Sequence, residues 1–179
     1  ASSLSIKLKN IGYKIVEIWS KSENSAKQLA SKLRCNWTTN LNTLKNTHLF
    51  IVSVKDDSIE KIILEIQNKE TPIVHTAGSI NLNVFKENVS FGSFYPLQSF
   101  NKEIISDFDK IPICIEANNK NLEKDLCNIA NNISESVHLI SSIQREKLHL
   151  SAVFACNFSN HMISISEKIL KNNDMDFNL

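Results

Sequence analysis

The continuous apolar run His48–Val54 (HLFIVSV) constrains the fold more than any other feature of the sequence. Such a run predicts a strand buried on both faces, which is the usual state of strands in parallel sheets. Other short apolar or β-branched segments alternate with helical patterns along the chain, and this alternation is typical of a parallel sheet covered by helices on both faces. The predicted strands are Tyr13–Trp19, His48–Val54, Thr71–His75, Val89–Phe94, Ile111–Glu116 and Val137–Ile140.

Helical spacing of apolar residues predicts the helices that alternate with these strands. Gly12 follows the first helix and is expected to end it as a C-terminal cap. Ser141 and Gln144 have the spacing of a capping box at the start of the last and longest helix. That helix has no following strand, so we expect a doubly wound domain over residues 1–142 and the start of a helical domain over residues 143–179. The predicted helices cover residues 4–11, 25–33, 58–66, 121–133 and 144–170.

The glycine content does not match the fold that the alternation predicts. In a doubly wound sheet, the first strand ends in a glycine-rich turn that binds phosphate. The only glycines are Gly12, Gly78 and Gly92, and the chain begins with a helix instead of that strand. We therefore expect the first strand and its glycine turn to precede Ala1, which fits as the small residue ending the fingerprint. The alternative is a small α/β domain that never binds a nucleotide.

Composition excludes several classes of partner. The net charge of +1 gives no electrostatic footprint for nucleic acid, and no apolar run has the length of a membrane span. The four cysteines lack the spacing of zinc ligands, so no metal site is expected. Free thiols are typical of a reducing compartment, which predicts the cytoplasm.

Four segments resemble a bacterial family of Rossmann-like proteins that carry a C-terminal helical domain of unknown function. The family is similar to pyrroline-5-carboxylate reductase, the deazaflavin-dependent NADP oxidoreductases and the 6-phosphogluconate dehydrogenase-like enzymes. The resemblance implies nucleotide binding, a glycine fingerprint before Ala1, more helices after Leu179 and a homodimer formed through the helical domain. The segments are HTAGSI (75–80), FGSFYPLQSF (91–100), IPICIEA (111–117) and QREKLHLSAVFACNFSNHM (144–162).

Residues that follow two predicted strands are candidates for binding the cofactor. Ser20, Lys21 and Ser22 stand where an acidic residue would bind the ribose of NAD, and a cation with two hydroxyls suits the 2′-phosphate of NADP instead. Val54 and Lys55 follow the next strand, where related enzymes bind the riboses. The alternative for Ser20 to Ser22 is a solvated turn.

The ends of the next two strands supply further candidates. Gly78 permits close approach of a ligand to the backbone, and Thr76 beside it is polar without bulk. His75 is a candidate proton donor, because an imidazole titrates near neutral pH; the alternative is a structural histidine. Tyr95 is a substrate-side candidate, but many relatives have histidine there, and this departure puts a shared mechanism in doubt.

The long helix combines apolar residues on most sides with a polar stripe that includes His149, Asn157 and His161. Asn157 and His161 are four residues apart and share a face, with His149 two turns before Asn157. A helix with this composition is expected to be buried, and its polar groups then need partners. Those partners are either a bound nicotinamide and substrate or another helix at a dimer interface.

Together these features predict an NADP-dependent oxidoreductase that transfers a hydride between nicotinamide and a small carbonyl, imine or alcohol. His75, Asn157 and His161 are the predicted catalytic residues, and Tyr95 and His149 are predicted to contact the substrate. The alternative is a non-catalytic NADP-binding module that acts in regulation or sensing.

Overall fold

A computed structural model describes residues 1–100 and 107–177 of the chain. Strands and helices alternate through most of it, as the apolar runs predict. The strands are β1 (Glu17–Trp19), β2 (Asn36–Thr38), β3 (Phe50–Val52), β4 (Ile73–His75), β5 (Phe91–Pro96), β6 (Ile113–Ala117) and β7 (Val137–Leu139). The helices are α1 (Ser2–Asn10), α2 (Glu23–Leu33), α3 (Asp56–Glu65), α4 (Lys120–Asn131), α5 (Ser142–Ala152) and α6 (Ser159–Lys171).

The strands form two separate groups. β1 pairs in parallel with β2, and the other five strands form a sheet in the order β3-β4-β5-β6-β7. The prediction of an all-parallel sheet is wrong at one pair, since β5 and β6 run antiparallel, with Tyr95 opposite Cys114. Apolar periodicity reports burial and carries no strand direction, so the sequence pattern did not reveal this reversal.

Helices cover both faces of the larger sheet, which confirms the predicted Rossmann-type α/β fold. On one face, α1 and α4 bury Leu4, Leu8 and Leu126 against the strands. On the other face, α3 buries Ile59 and Ile63. Each such side chain contributes about 1.5–3 kcal/mol by leaving water, so the two apolar clusters hold the layers together.

The first helix ends as its sequence predicts. Gly12 has a φ of +99°, a left-handed conformation in which a side chain would be strained, and its amide donates to the Lys9 carbonyl oxygen. The following strand is shorter than predicted, because only Glu17–Trp19 of the expected Tyr13–Trp19 pairs with a neighbour.

The predicted long C-terminal helix is present but interrupted. The capping box of Ser141 and Gln144 starts α5, and a π-helical segment, Val153–Phe158, joins α5 to α6. The expectation of a buried helix is wrong for this chain: Phe154 is 60% exposed and Met162 is 55% exposed. Within residues 1–100 and 107–177, no helix has the length and apolar character that a membrane crossing requires.

Candidate functional site

A cavity of about 650 Å³ lies where the two groups of strands separate, between β1 and β3. Its volume is within the range of ligand pockets, about 300–1,000 Å³. Apolar side chains from both strands line it, among them Ile18 and Ile51, and polar residues that follow the strands also belong to its wall. The cavity follows both strands along their length and so reaches the carboxyl ends at which ligands bind in a doubly wound fold.

Most of the predicted cofactor-binding residues meet at this cavity. Thr76 and Gly78 are not part of its wall; they follow the carboxyl end of the neighbouring strand β4. The predicted residues that line the cavity are Ala1, Ser20, Lys21, Ser22, Val54 and Lys55.

The turn after β1 is built by local hydrogen bonds. The Ser22 amide donates to Ser20 Oγ at 3.2 Å, and the Ser25 amide donates to Ser22 Oγ at 3.3 Å, so Ser22 is the N-cap of α2. Lys21 between them is exposed, and it forms no ion pair or hydrogen bond with any described residue. Its ammonium group is therefore available to an anionic ligand.

The amino end of α1 also lines the cavity, through Ala1 and Ser2. No acidic residue occupies the first turn of α1, whereas α2, α3 and α4 each have at least one there. The amino end of a helix carries partial positive charge and unpaired amides, which attract anions. Since no side chain of its first turn neutralises it, α1 presents this charge to the cavity.

A second group of polar side chains lies where α5 crosses the ends of β4 and β5. Tyr95 Oη and His149 Nδ1 are 2.9 Å apart, and the two rings meet edge to face with centroids 5.9 Å apart. Burial, the largest cause, raises the pKa of Tyr95 to about 12. The structure thus joins the two residues that the sequence assigned separately to substrate contact.

Gly78 lets α5 approach this closely. A Cβ atom at residue 78 would lie 2.6 Å from both Cγ and Nδ1 of His149. Carbon atoms do not approach at that distance without displacement, so only glycine accommodates the histidine here. The predicted role of Gly78 in close approach applies, in this structure, to a side chain of the same protein.

Arg145 fixes α5 to the sheet, one helical turn before His149. Its guanidinium is 1% exposed, pairs with Glu116 at the end of β6, and donates to the Ile80 carbonyl oxygen. Ser142 Oγ donates to the same Glu116 carboxylate at 2.7 Å. These bonds set the position of α5 over the strand ends, and hence that of His149.

The structure argues against His75 as a proton donor. The side chain is completely buried, stacks on Phe85 with centroids 5.5 Å apart, and accepts a hydrogen bond from the Ala77 amide through Nδ1. Burial, with a smaller effect of the Arg145 charge, lowers its pKa to about 3. Complete burial and a low pKa favour the structural role of His75, which is the alternative stated above.

The other two predicted catalytic residues lie apart from His149. Asn157, in the π-helical segment, is exposed and contacts Ser99 at 3.3 Å between Oδ1 and Oγ. His161 is exposed on α6 and forms no hydrogen bond with any residue in the described ranges. The expected polar stripe is therefore not continuous, because the π-helical turn changes the angular relation between residues before and after it.

Sequence reasoning missed Arg145 and Glu116. Both stand within segments that carry the family resemblance, but a lone arginine on a helix and a lone glutamate ending a strand match the pattern of solvated residues. The one available signal is the arginine in the first turn of α5, since cations are unfavourable at the amino end of a helix. A cation placed there needs a compensating partner, and Glu116 provides it.

The interrupted sheet, the helices on both of its faces and the cavity at the strand ends define a Rossmann-type dinucleotide-binding fold. Residues 111–179 match the family model described as "Domain of unknown function (DUF2520)". No curated protein sequence is significantly similar to the chain.

Solved structures give the more specific relationship. The putative NADP oxidoreductase BF3122 of Bacteroides fragilis is 38% identical, with a TM-score of 0.90 over 99% of this chain and 71% of that chain. The chain belongs to the same family as this protein. The protein TM1727 of Thermotoga maritima is 24% identical, with a TM-score of 0.80 over 98% of this chain and 67% of that chain.

The predicted resemblance to pyrroline-5-carboxylate reductase is confirmed as a shared fold. The enzyme from Streptococcus pyogenes is 16% identical, with a TM-score of 0.72 over 99% of this chain and 68% of that chain. At this level of identity the likeness establishes the architecture and leaves the substrate open.

Proposed function

We propose that this chain binds NADP as part of an oxidoreductase that transfers a hydride between nicotinamide and a small carbonyl, imine or alcohol. One observation carries the proposal: residues from the turns after β1 and β3 and from the start of α1 line a single cavity, which follows both strands to their carboxyl ends. Membership of a family that includes a putative NADP oxidoreductase supports the same cofactor and class of reaction.

The cavity wall fits both phosphate-bearing parts of NADP, the 2′-phosphate and the pyrophosphate. Lys21, with no competing carboxylate bound to it, would pair with the 2′-phosphate, and the hydroxyls of Ser20 and Ser22 lie in the same turn. The amino end of α1 would bind the pyrophosphate, as helix amino ends do in this fold. Val54 and Lys55 would then lie along the two riboses, which stand on either side of the pyrophosphate.

We further propose that a strand carrying a glycine-rich turn fills the gap between β1 and β3. The edges of these two strands face the cavity, and strands so placed present unpaired amides and carbonyls. An inserted parallel strand would pair with both edges and fill the apolar length of the cavity, leaving its polar end, at Ser20, Lys21 and Lys55, to the cofactor. Its carboxyl end would place a turn next to the start of α1.

The bound nicotinamide would supply or accept a hydride, and the side chains of this chain would orient the substrate beside it. The ends of β3, β4 and β5 lie at one edge of the sheet, because these strands are parallel. Tyr95 and His149 stand at that edge beside Gly78, so we assign the substrate to their side of the cavity.

We also propose a homodimer formed through the helical region and a cytoplasmic location. Phe154, Phe158 and Met162 are each at least 50% exposed, and apolar surface of this kind is typical of an interface. All four cysteines are free, which fits a reducing compartment.

Calorimetry with the full-length protein tests the cofactor assignment. We expect NADPH to bind more tightly than NADH, and Lys21→Ala to weaken NADPH binding about tenfold, since a hydrogen bond to a charged group contributes roughly 1.5–3 kcal/mol. NADH binding should not change. Lys32→Ala is the matched control, because Lys32 is exposed and lies outside the cavity wall. Equal loss of NADPH and NADH affinity in Lys21→Ala would contradict the assignment.

A further inference from the structure

We propose that His149 is the residue that exchanges a proton with the substrate, and that Tyr95 holds its imidazole in the required tautomer. This inference rests on the proposed hydride transfer, but it replaces the residues that the sequence pattern favoured. We call Tyr95 and His149 the Tyr–His pair. In it, His149 is the catalytic residue and Tyr95 is the positioning residue.

The geometry of the Tyr–His pair fixes the imidazole from two sides. Tyr95 Oη lies 2.9 Å from Nδ1, and Gly78 lies directly against Cγ, Nδ1 and Cβ. Arg145, one turn earlier on α5, holds the helix in place through Glu116. A ring held this way has little freedom to rotate, and such fixed orientation is what a proton donor needs.

The hydrogen bond also determines which ring nitrogen carries the proton. Among the described residues, Tyr95 Oη has no hydrogen-bond partner other than His149 Nδ1. If Nδ1 carried the proton, the phenol hydrogen would have no acceptor among the described residues, so we assign the phenol as the donor and Nδ1 as the acceptor. The high pKa of Tyr95, about 12, keeps the phenol protonated throughout the neutral range. The neutral imidazole therefore carries its proton on Nε2.

Solvent exposure and a fixed ring together distinguish His149 from His75 and His161. His149 is partly exposed, and its Nε2 forms no hydrogen bond with a residue of the described ranges. His75 is completely buried, while His161 is exposed and has no partner among the described residues that would fix its ring. Only His149 combines a fixed ring with a free N–H at the edge of the sheet where the strand ends meet.

Reduction of a carbonyl or imine requires a hydride at carbon and a proton at oxygen or nitrogen. As the substrate carbon accepts a hydride from the reduced cofactor, its double bond to oxygen or nitrogen opens. His149 Nε2–H donates its proton to that heteroatom, giving an alcohol or amine, while the Tyr95 hydroxyl passes its proton to Nδ1, so that the ring stays neutral. The Tyr95 phenolate then regains a proton from water. General acid catalysis of this kind contributes about 10²–10⁴-fold to a rate.

Nitrogen-15 NMR of the full-length protein with labelled histidine tests the pairing without any turnover. In the wild-type protein, we expect His149 to show an unprotonated Nδ1 and a protonated Nε2. Tyr95→Phe removes the donor, so a mixture of tautomers should appear at His149 alone. A wild-type His149 protonated on Nδ1 would overturn the inference.

Turnover tests the catalytic part, with NADPH consumption followed using 1-pyrroline and acetaldehyde as imine and carbonyl probes. His149→Gln should lower kcat about 100-fold or more while the Kd of NADPH stays within about twofold. The control His138→Gln should retain the wild-type rate, because the His138 side chain is exposed on β7 and, within the described residues, bonds only to Ser136. An unchanged kcat in His149→Gln, or NADPH binding without oxidation by either probe, would overturn the proton-transfer role.

These measurements distinguish failure of the proposed cofactor binding from failure of the role assigned to His149. If the wild-type protein does not bind NADPH, the proposed function fails, and the role of His149 fails with it. If it binds NADPH but His149 is protonated on Nδ1, only the present inference fails.

Discussion

Replacing Glu116 with glutamine removes the charge that compensates the buried Arg145 guanidinium. The two side chains are 21% and 1% exposed, so neither water nor salt compensates the arginine after the change. Removing one partner of a buried ion pair costs about 3–5 kcal/mol. Because the glutamine oxygen can still accept from Ser142 and Arg145, we expect a loss near the lower limit, about 3 kcal/mol.

Urea denaturation of the full-length protein measures this loss as a change in the free energy of unfolding. The matched control is Glu60→Gln, which breaks the 2.8 Å pair of Glu60 with Lys86, whose side chains are 51% and 63% exposed. Exposed pairs contribute roughly 0–1 kcal/mol, so the control should lose no more than that.

A double variant, Glu116→Leu with Arg145→Met, provides an internal check. It removes both charges, and it should be less destabilised than Glu116→Gln, since replacing a whole buried pair by apolar groups is often tolerated. If Glu116→Gln lost no more stability than Glu60→Gln, Arg145 would not depend on Glu116. In that case, the pair of Arg145 and Glu116 would not be what positions α5.

Two further predictions concern the sheet edge. Gly78→Ala should destabilise the protein by about 1–3 kcal/mol in the same urea assay, because its Cβ would lie 2.6 Å from the His149 ring; wild-type stability would show that α5 does not approach so closely. The low folded pKa of His75, about 3 against 6.5 unfolded, means that only the unfolded state gains a proton on acidification. Stability should therefore fall by about 1.2 kcal/mol from pH 6 to pH 5 on this account, and His75→Asn should remove that part of the slope. Identical slopes for both proteins would contradict it.

Most of the fold could be predicted from the sequence because its strands are short apolar runs that only a covered parallel sheet can bury. β2 was missed because Asn36–Thr38 is short and largely exposed, with Trp37 as its one apolar residue. The reversal of β6 was missed because hydrophobicity is the same for either strand direction.

In the candidate site, the cofactor-binding turns could be predicted from the sequence, but the contacts made by α5 could not. Residues following strands reach one edge of a parallel sheet, so the cofactor-binding turns could be located in advance. The Tyr–His pair and the partnership of Arg145 with Glu116 depend on how α5 crosses that edge, and no local pattern encodes the crossing. The long helix was expected to be buried, but its apolar side is exposed. The described part of this chain does not supply residues that cover it.

A crystal structure of the full-length protein with NADP⁺ would test the central claim most directly. The account predicts the 2′-phosphate within hydrogen-bonding distance of Lys21, the pyrophosphate at the amino end of α1 and the nicotinamide on the side of His149. A dinucleotide bound away from the strand ends, or no binding at saturating concentration, would contradict it.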